Sequence, residues 1–156
     1  MKLREAHALD YDAFYSIKAD KNNILWGGFS SAPDIDNFLV WYKKQIDKTS
    51  KRSLYVFEVN HKVVGFSSID YTGDDPEISY GVLSTETGNG FGTEIIRQTC
   101  TMANSSRITA YISERNIGSI RCFEKNGFIK TSISETRYLP LFNEQHTFYK
   151  WIKVLR

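Results

Sequence analysis

The chain has 156 residues, with 20 Lys+Arg against 18 Asp+Glu and a formal net charge of +2. Hydrophobic residues make up 41% and aromatic residues 14%. That composition excludes an intrinsically disordered chain and suits one soluble domain over 1–156 whose core needs no disulfide or metal staple. The near balance of charge argues against a protein that binds nucleic acid by broad phosphate neutralisation.

In chain order, Lys2 to Ala6 reads as a short strand, and Asp10 caps a helix that turns Ala13, Phe14 and Ile17 inward. Asp20 to Pro33, with Gly27 and Gly28, reads as irregular. Ser31-Ala32-Pro33-Asp34 reads as a capping box with proline in the first turn of a second helix. Its apolar positions are Ile35, Phe38, Leu39, Tyr42 and Ile46. Strands follow at 54–59, 63–69 and 77–83, the first two joined through Asn60-His61-Lys62. After Thr87-Gly88-Asn89-Gly90-Phe91-Gly92, a helix runs to about Ala103, burying Phe91, Ile95, Thr99 and Met102. Ile108, Ala110 and Ile112 alternate as a strand. Asn116 to Asn126 is a short helix, ended by Gly127 as a left-handed cap. Phe128 to Ile133 is a strand, Ser134 to Asn143 a loop, and His146 to Leu155 the last strand. Three consecutive strands form an antiparallel meander, while the strand–helix–strand segment from Glu77 to Ile112 requires a parallel crossover. The result is a mixed α+β sandwich.

Cys100 and Cys122 form no CxxC unit and read as free thiols of a reducing compartment. His7, His61 and His146 match no metal-ligand spacing, so no metal is expected. Met1 to Asp10 contains no apolar signal segment, and no run approaches the roughly 18 apolar residues of a membrane helix. A cytoplasmic protein is expected, with no membrane or nucleic-acid partner; a homodimer is left open. Lys43-Lys44 and Lys48 to Arg52 form the one basic patch, read as a solvated helix end.

The glycine cluster is the informative motif. GxGxxG fails at Thr93, and no Lys-Ser/Thr pair completes a P-loop. What remains is GxGxG opening a helix: Gly88, Gly90 and Gly92 let the main chain approach a ligand. The helix dipole adds ~0.3–1 kcal/mol of attraction for an anion. A pyrophosphate could rest there without a basic side chain; a plain glycine-rich turn is the alternative.

Asn116-Ile117-Gly118-Ser119-Ile120-Arg121-Cys122-Phe123-Glu124-Lys125-Asn126-Gly127-Phe128 follows the next strand. With the glycine turn and Glu77-Ile78-Ser79-Tyr80-Gly81-Val82, it resembles the GNAT superfamily of acyl-CoA-dependent N-acetyltransferases. The turn resembles that family's Q/R-x-x-G-x-G/A pyrophosphate loop, and the later segment its N-x-x-A/S-x-x-x-Y-x-K-x-G-F stretch. The element order agrees over nearly the whole chain. The resemblance implies a three-layer sandwich with about four helices. Its six- to seven-stranded sheet would be mostly antiparallel, with central strands that splay to admit a thioester.

It also implies acetyl-CoA as co-substrate and an amine as acceptor. Val82 and Leu83 would bond the pantetheine arm through their main chain, and the amides of Gly88, Asn89, Gly90, Phe91, Gly92 and Thr93 would hold the pyrophosphate. Asn116 would contact pantetheine, and Ser119 and Phe123 would line the sulfur end. There are two departures. Thr87 replaces the usual Gln or Arg, and Phe123 stands where the family often has a tyrosine that serves as general acid. Cys122, Tyr111 and Tyr80 are candidate substitutes.

The reaction needs a neutral amine, whose deprotonation at neutral pH costs roughly 4–5 kcal/mol for a lysine-like group. Glu77 is the candidate general base, with Asp70, Asp74 and Asp75 as nearby alternatives. A main-chain amide near Val82 or Leu83 would meet the oxyanion. Trp26, Phe29, Tyr71 and Tyr138 are candidate acceptor-binding residues. With the nearby carboxylates they suggest a cationic or sugar-like amine: an aminosugar, a polyamine-like molecule or a protein amino group. The alternative from another class is a non-catalytic acyl-CoA sensor, favoured by Phe123.

Overall fold

The structure is a computed structural model and describes residues 1–155. Its strands are β1 (Lys2–Glu5), β2 (Arg52–Val59), β3 (Lys62–Asp70), β4 (Glu77–Val82), β5 (Arg107–Ser113), β6 (Ile129–Leu139) and β7 (Glu144–Val154). Its α-helices are α1 (Tyr11–Lys18), α2 (Lys21–Gly27), α3 (Ile35–Ile46), α4 (Phe91–Met102) and α5 (Ile117–Lys125). The strands form one sheet in the order β1-β2-β3-β4-β5-β7-β6. Every neighbouring pair is antiparallel except β4 with β5, which a helical crossover joins in parallel. This is the mixed, mostly antiparallel α+β sandwich that the sequence implies, with one more helix.

The period of two along the strands feeds two cores, one on each sheet face. Leu54, Val56 and Phe66 pack with Phe14, Ile17 and Tyr42 under α1 and α3. Tyr55, Phe57, Ile69 and Ile78 pack with Ile95, Ile96 and Phe123 under α4 and α5. Between these layers β4 and β5 share one register pair, Glu77 with Thr109. Thr109 pins that start, donating to the Pro76 carbonyl from its amide at 2.8 Å and its hydroxyl at 3.0 Å. Beyond it the strands part, so the sheet is open at its centre.

Four local expectations are corrected. Residues 21–27 are helical, not irregular: Asp20 caps α2 by accepting from the Asn22 amide at 3.1 Å, and Gly28 ends it at φ +81°. The cap of α3 is Asp34, which accepts from the Asn37 amide at 2.9 Å, so Pro33 lies outside the first turn. The buried face of α4 is Ile95, Ile96, Thr99 and Cys100; Met102 is exposed and Phe91 half-buried, because the helix leans on β3 through Thr99, whose hydroxyl lies 2.7 Å from Ser67 Oγ. Residues 134–139 continue β6 along β7, leaving a short turn at 140–143. Among the described residues no helix is long and apolar enough to cross a membrane.

Candidate active site

Gly88 and Gly90 adopt φ of +83° and +77°, a region that favours glycine, and a Cβ at either would meet nothing within 4 Å. Side chains there would project into open space. Gly92 is tight for a different reason: its Cβ would lie 3.1 Å from the Tyr80 ring and 3.2 Å from Cys122 Sγ. The first bond into α4 runs from the Glu94 amide to the Gly90 carbonyl at 3.2 Å. Among the described residues, the amides of Gly90, Phe91, Gly92 and Thr93 make no hydrogen bond within the protein. Unbonded amides at the start of a helix attract an anion.

The turn borders an outer cleft of about 570 Å³. Of the residues named from the sequence, Val82, Gly88, Gly90, Phe91, Gly92, Thr93, Asn116 and Ser119 line it. Asn89 does not; its side-chain amide donates to the Glu86 carbonyl at 3.1 Å. Leu83 does not line it either. Its amide donates to the Val64 carbonyl at 2.9 Å, and its own carbonyl accepts from the Glu86 amide at 2.8 Å. Strand alternation explains this: with Leu83 bonded toward β3, the amides of Val82 and Tyr80 point to the gap beside β5.

The far wall of the cleft is α5, whose Gly118, Arg121, Cys122 and Lys125 share one helical face. Arg121 and Lys125 were not singled out in the sequence, although their spacing from Gly118 carries the signal. Thr87 is held by its hydroxyl, which donates to the Ser84 carbonyl at 3.0 Å. Asn116 caps α5 by accepting from the Ser119 amide at 3.3 Å.

An inner cavity of about 270 Å³ shares Asn23, Trp26, Tyr80, Asn116 and Ser119 with the outer cleft, so the two communicate through the opened sheet. α2 forms the roof. The Asp20 carboxylate accepts from the Ser84 amide and hydroxyl at 3.0 and 2.9 Å, and Asn23 donates to the Ile17 carbonyl at 2.7 Å. Asn23 sits so close over β4 that a Cβ on Gly81 would approach its Oδ1 to 2.4 Å.

Glu77 lines this cavity on one sheet face, and Tyr80 rises on the other, among the residues packed under α4 and α5. Burial pushes the Glu77 carboxyl above its ordinary range, against the opposing pull of Arg137. Burial also holds the Tyr80 phenol well above its usual value; its hydroxyl donates to Ser119 Oγ at 3.1 Å. Phe123 lines the cavity, is 2% exposed and meets Tyr80 and Phe128 edge-on at 5.7 and 4.9 Å between ring centroids.

Of the aromatic candidates, Trp26 lines both spaces and Phe29 the inner one. Tyr71 lies in neither; it packs on the core and its hydroxyl accepts from the Asn104 amide at 3.2 Å. Tyr138 is exposed, with its hydroxyl donating to Asn143 Oδ1 at 2.6 Å. The carboxylates near Glu77 are engaged elsewhere: Asp70 with Arg52 at 3.0 Å, and Asp75 with Arg107 at 2.7 Å and Lys150 at 3.7 Å. Asp74 is exposed. Among the described residues no group of three or more His, Cys, Asp or Glu is placed to hold a metal.

A family model described as an acetyltransferase (GNAT) domain matches residues 1–129. Among solved structures, ribosomal-protein-alanine N-acetyltransferase from Brucella melitensis superposes with a TM-score of 0.84 at 19% identity, covering 99% of each chain. Spermidine N-acetyltransferase from Vibrio cholerae, in complex with CoA and spermine, gives 0.85 at 15% identity, over 99% of this chain and 95% of that one. A phosphinothricin acetyltransferase from Sinorhizobium meliloti in complex with acetyl-CoA gives 0.79 at 14% identity, over 98% and 87%. No curated protein matches the chain.

Proposed function

The chain belongs to the GNAT acetyltransferase family, and on that premise we propose that it transfers acetyl from acetyl-CoA directly to a primary amine bound in the same complex. The acceptor classes that the sequence leaves open are an aminosugar, a polyamine-like molecule and a protein amino group. One observation carries the reading: unbonded amides at the start of α4 border an open cleft that leads through the parted sheet to a raised-pKa carboxylate.

Gly90, Phe91, Gly92 and Thr93 would hold the pyrophosphate by their amides, and Arg121 and Lys125 face it from α5 in place of the long side chain missing at Thr87. Bound acetyl-CoA supplies the acetyl group as a thioester. The Val82 amide, turned into the gap, donates to the carbonyl oxygen as it gains charge; one such donor is worth about 3 kcal/mol of barrier. Glu77 takes the proton of the attacking amine from the acceptor side of the sheet.

Phe123 has no proton to give, and Tyr80 stands on the sulfur side instead. A thiol ordinarily titrates near about 8.5, far below the buried phenol, so Tyr80 keeps its proton. Turned from Ser119 Oγ toward the sulfur, its hydroxyl would stabilise the departing thiolate by hydrogen bonding.

The test is release of free thiol from acetyl-CoA on addition of mixed amines. Acceptor-dependent release supports the proposal. Acetyl-CoA binding without release for any amine favours a non-catalytic acyl-CoA sensor, the reading that Phe123 suggests.

A further inference from the structure

The inner cavity holds two cations that the transfer reaction does not use. Lys18, at the end of α1, lines it with its ammonium 4.9 Å from the centre of the Phe66 ring. Among the described residues no carboxylate lies within 4 Å of that ammonium, and the charged group acting on it is another cation, Arg52. Burial and Arg52 together lower its pKa to about 8. Arg137, from β6, lines the same cavity; it bonds the exposed Glu135 through one nitrogen and stacks over Phe148 at 4.6 Å, which leaves further guanidinium donors. A partly buried ammonium without a counter-ion is costly unless something supplies the charge.

The carboxylates that would suit a polycation point elsewhere. Asp70 is tied to Arg52, and Asp75 to Arg107 and Lys150. Glu77 is the acid that lines the cavity. A polyamine entering here would meet like charge on two walls.

We propose that the acceptor carries a small anionic group, carboxylate or phosphate, on the same molecule as its amine, and that Lys18 and Arg137 bind that anion while the amine faces Glu77. This rests on the acetyl-transfer reading and names its substrate class. At about 270 Å³ the cavity falls below the roughly 300–1,000 Å³ of sites for drug-sized ligands. It therefore suits a molecule of amino-acid or hexosamine-phosphate size.

The experiment compares kcat/KM for paired acceptors: the common amino acids against their carboxamides, glucosamine 6-phosphate against glucosamine, with spermidine alongside. Acetyl-CoA binding is measured by calorimetry on the same preparations. The anionic member of at least one pair is expected to be favoured about tenfold or more, the value of a charge-assisted bond. The reactive pair tells carboxylate from phosphate. Lys18→Met, nearly isosteric and without a charge to bury, should bring that ratio to within about twofold of unity, and Arg137→Gln should lower it too. Preference for the uncharged members or spermidine, a ratio untouched by Lys18→Met, or transfer to no anionic acceptor while acetyl-CoA binds would each overturn the inference and leave the cofactor site standing. Failure to bind acetyl-CoA would overturn the transfer reading, and this inference with it.

Discussion

In the proposed reaction two residues of one strand take separate roles because their side chains leave opposite faces of the sheet. Glu77 lines the inner cavity while Tyr80 packs toward α5. Glu77→Gln should lower kcat/KM about 10²–10⁴-fold near pH 7, the usual worth of a general base. The deficit should shrink toward pH 10, where an amine of pKa about 10.4 begins to lose its proton unaided. In the wild type, activity should fall as pH drops through the raised Glu77 pKa, because the protonated carboxyl can take no proton from the amine. The same pH–rate curve in both proteins would remove Glu77 as base. Tyr80→Phe should cost about tenfold in kcat, one hydrogen bond's worth, with acetyl-CoA affinity retained. A rate unchanged in single-turnover assays would show that the thiolate leaves without it.

At this scale the sequence was readable where a residue acts through its backbone. Gly88 and Gly90 stand out by turn chemistry, while Val82 enters only through the family resemblance. Leu83 gives its amide to the β3 ladder, a register that the sequence does not print. Lys18 and Arg137 give no signal in the sequence because they are far apart along the chain and share one cavity only in the folded sheet.

Among the elements, α2 and the outer half of β6 were hidden for different reasons. Asn22-Asn23 and the Gly27-Gly28 pair are poor helix formers, so α2 depends on bonds beyond its own turns: Asp20 to Ser84, and Asn23 to Ile17. In β6 only Leu139 is buried, so no inside–outside alternation marks it; pairing with β7 makes it a strand. Because α2 carries Asn23 and Trp26 to both cavities, its anchor matters to function. Asp20→Ala removes an N-cap and two bonds to Ser84. It should destabilise the fold by about 1–2 kcal/mol, lowering Tm by roughly 3–8 °C for a chain of this size. It should also raise KM for the acceptor. Thermal unfolding and steady-state kinetics check both; an unmoved Tm would mean that α2 holds its place without Asp20.

Over the whole molecule, the crossover β4–α4–β5 turns local sequence into a site. It sets the start of α4, with its unbonded amides, against strands that share a single register pair before parting. The fold and the glycine turn were therefore legible together, since one connection makes both. The depth and charge of the inner cavity were not, because α1, α2, β6 and β7 contribute to it from distant parts of the chain. The central claim is that these amides grip the diphosphate of acetyl-CoA. Gly90→Glu tests it most directly, since its side chain would enter open space at the helix start and bring a negative charge there. Calorimetric titration with acetyl-CoA should show binding by the wild type and at least about hundredfold weaker binding, or about 2.7 kcal/mol, by a variant that still unfolds cooperatively. Equal affinity in the two proteins would contradict the account.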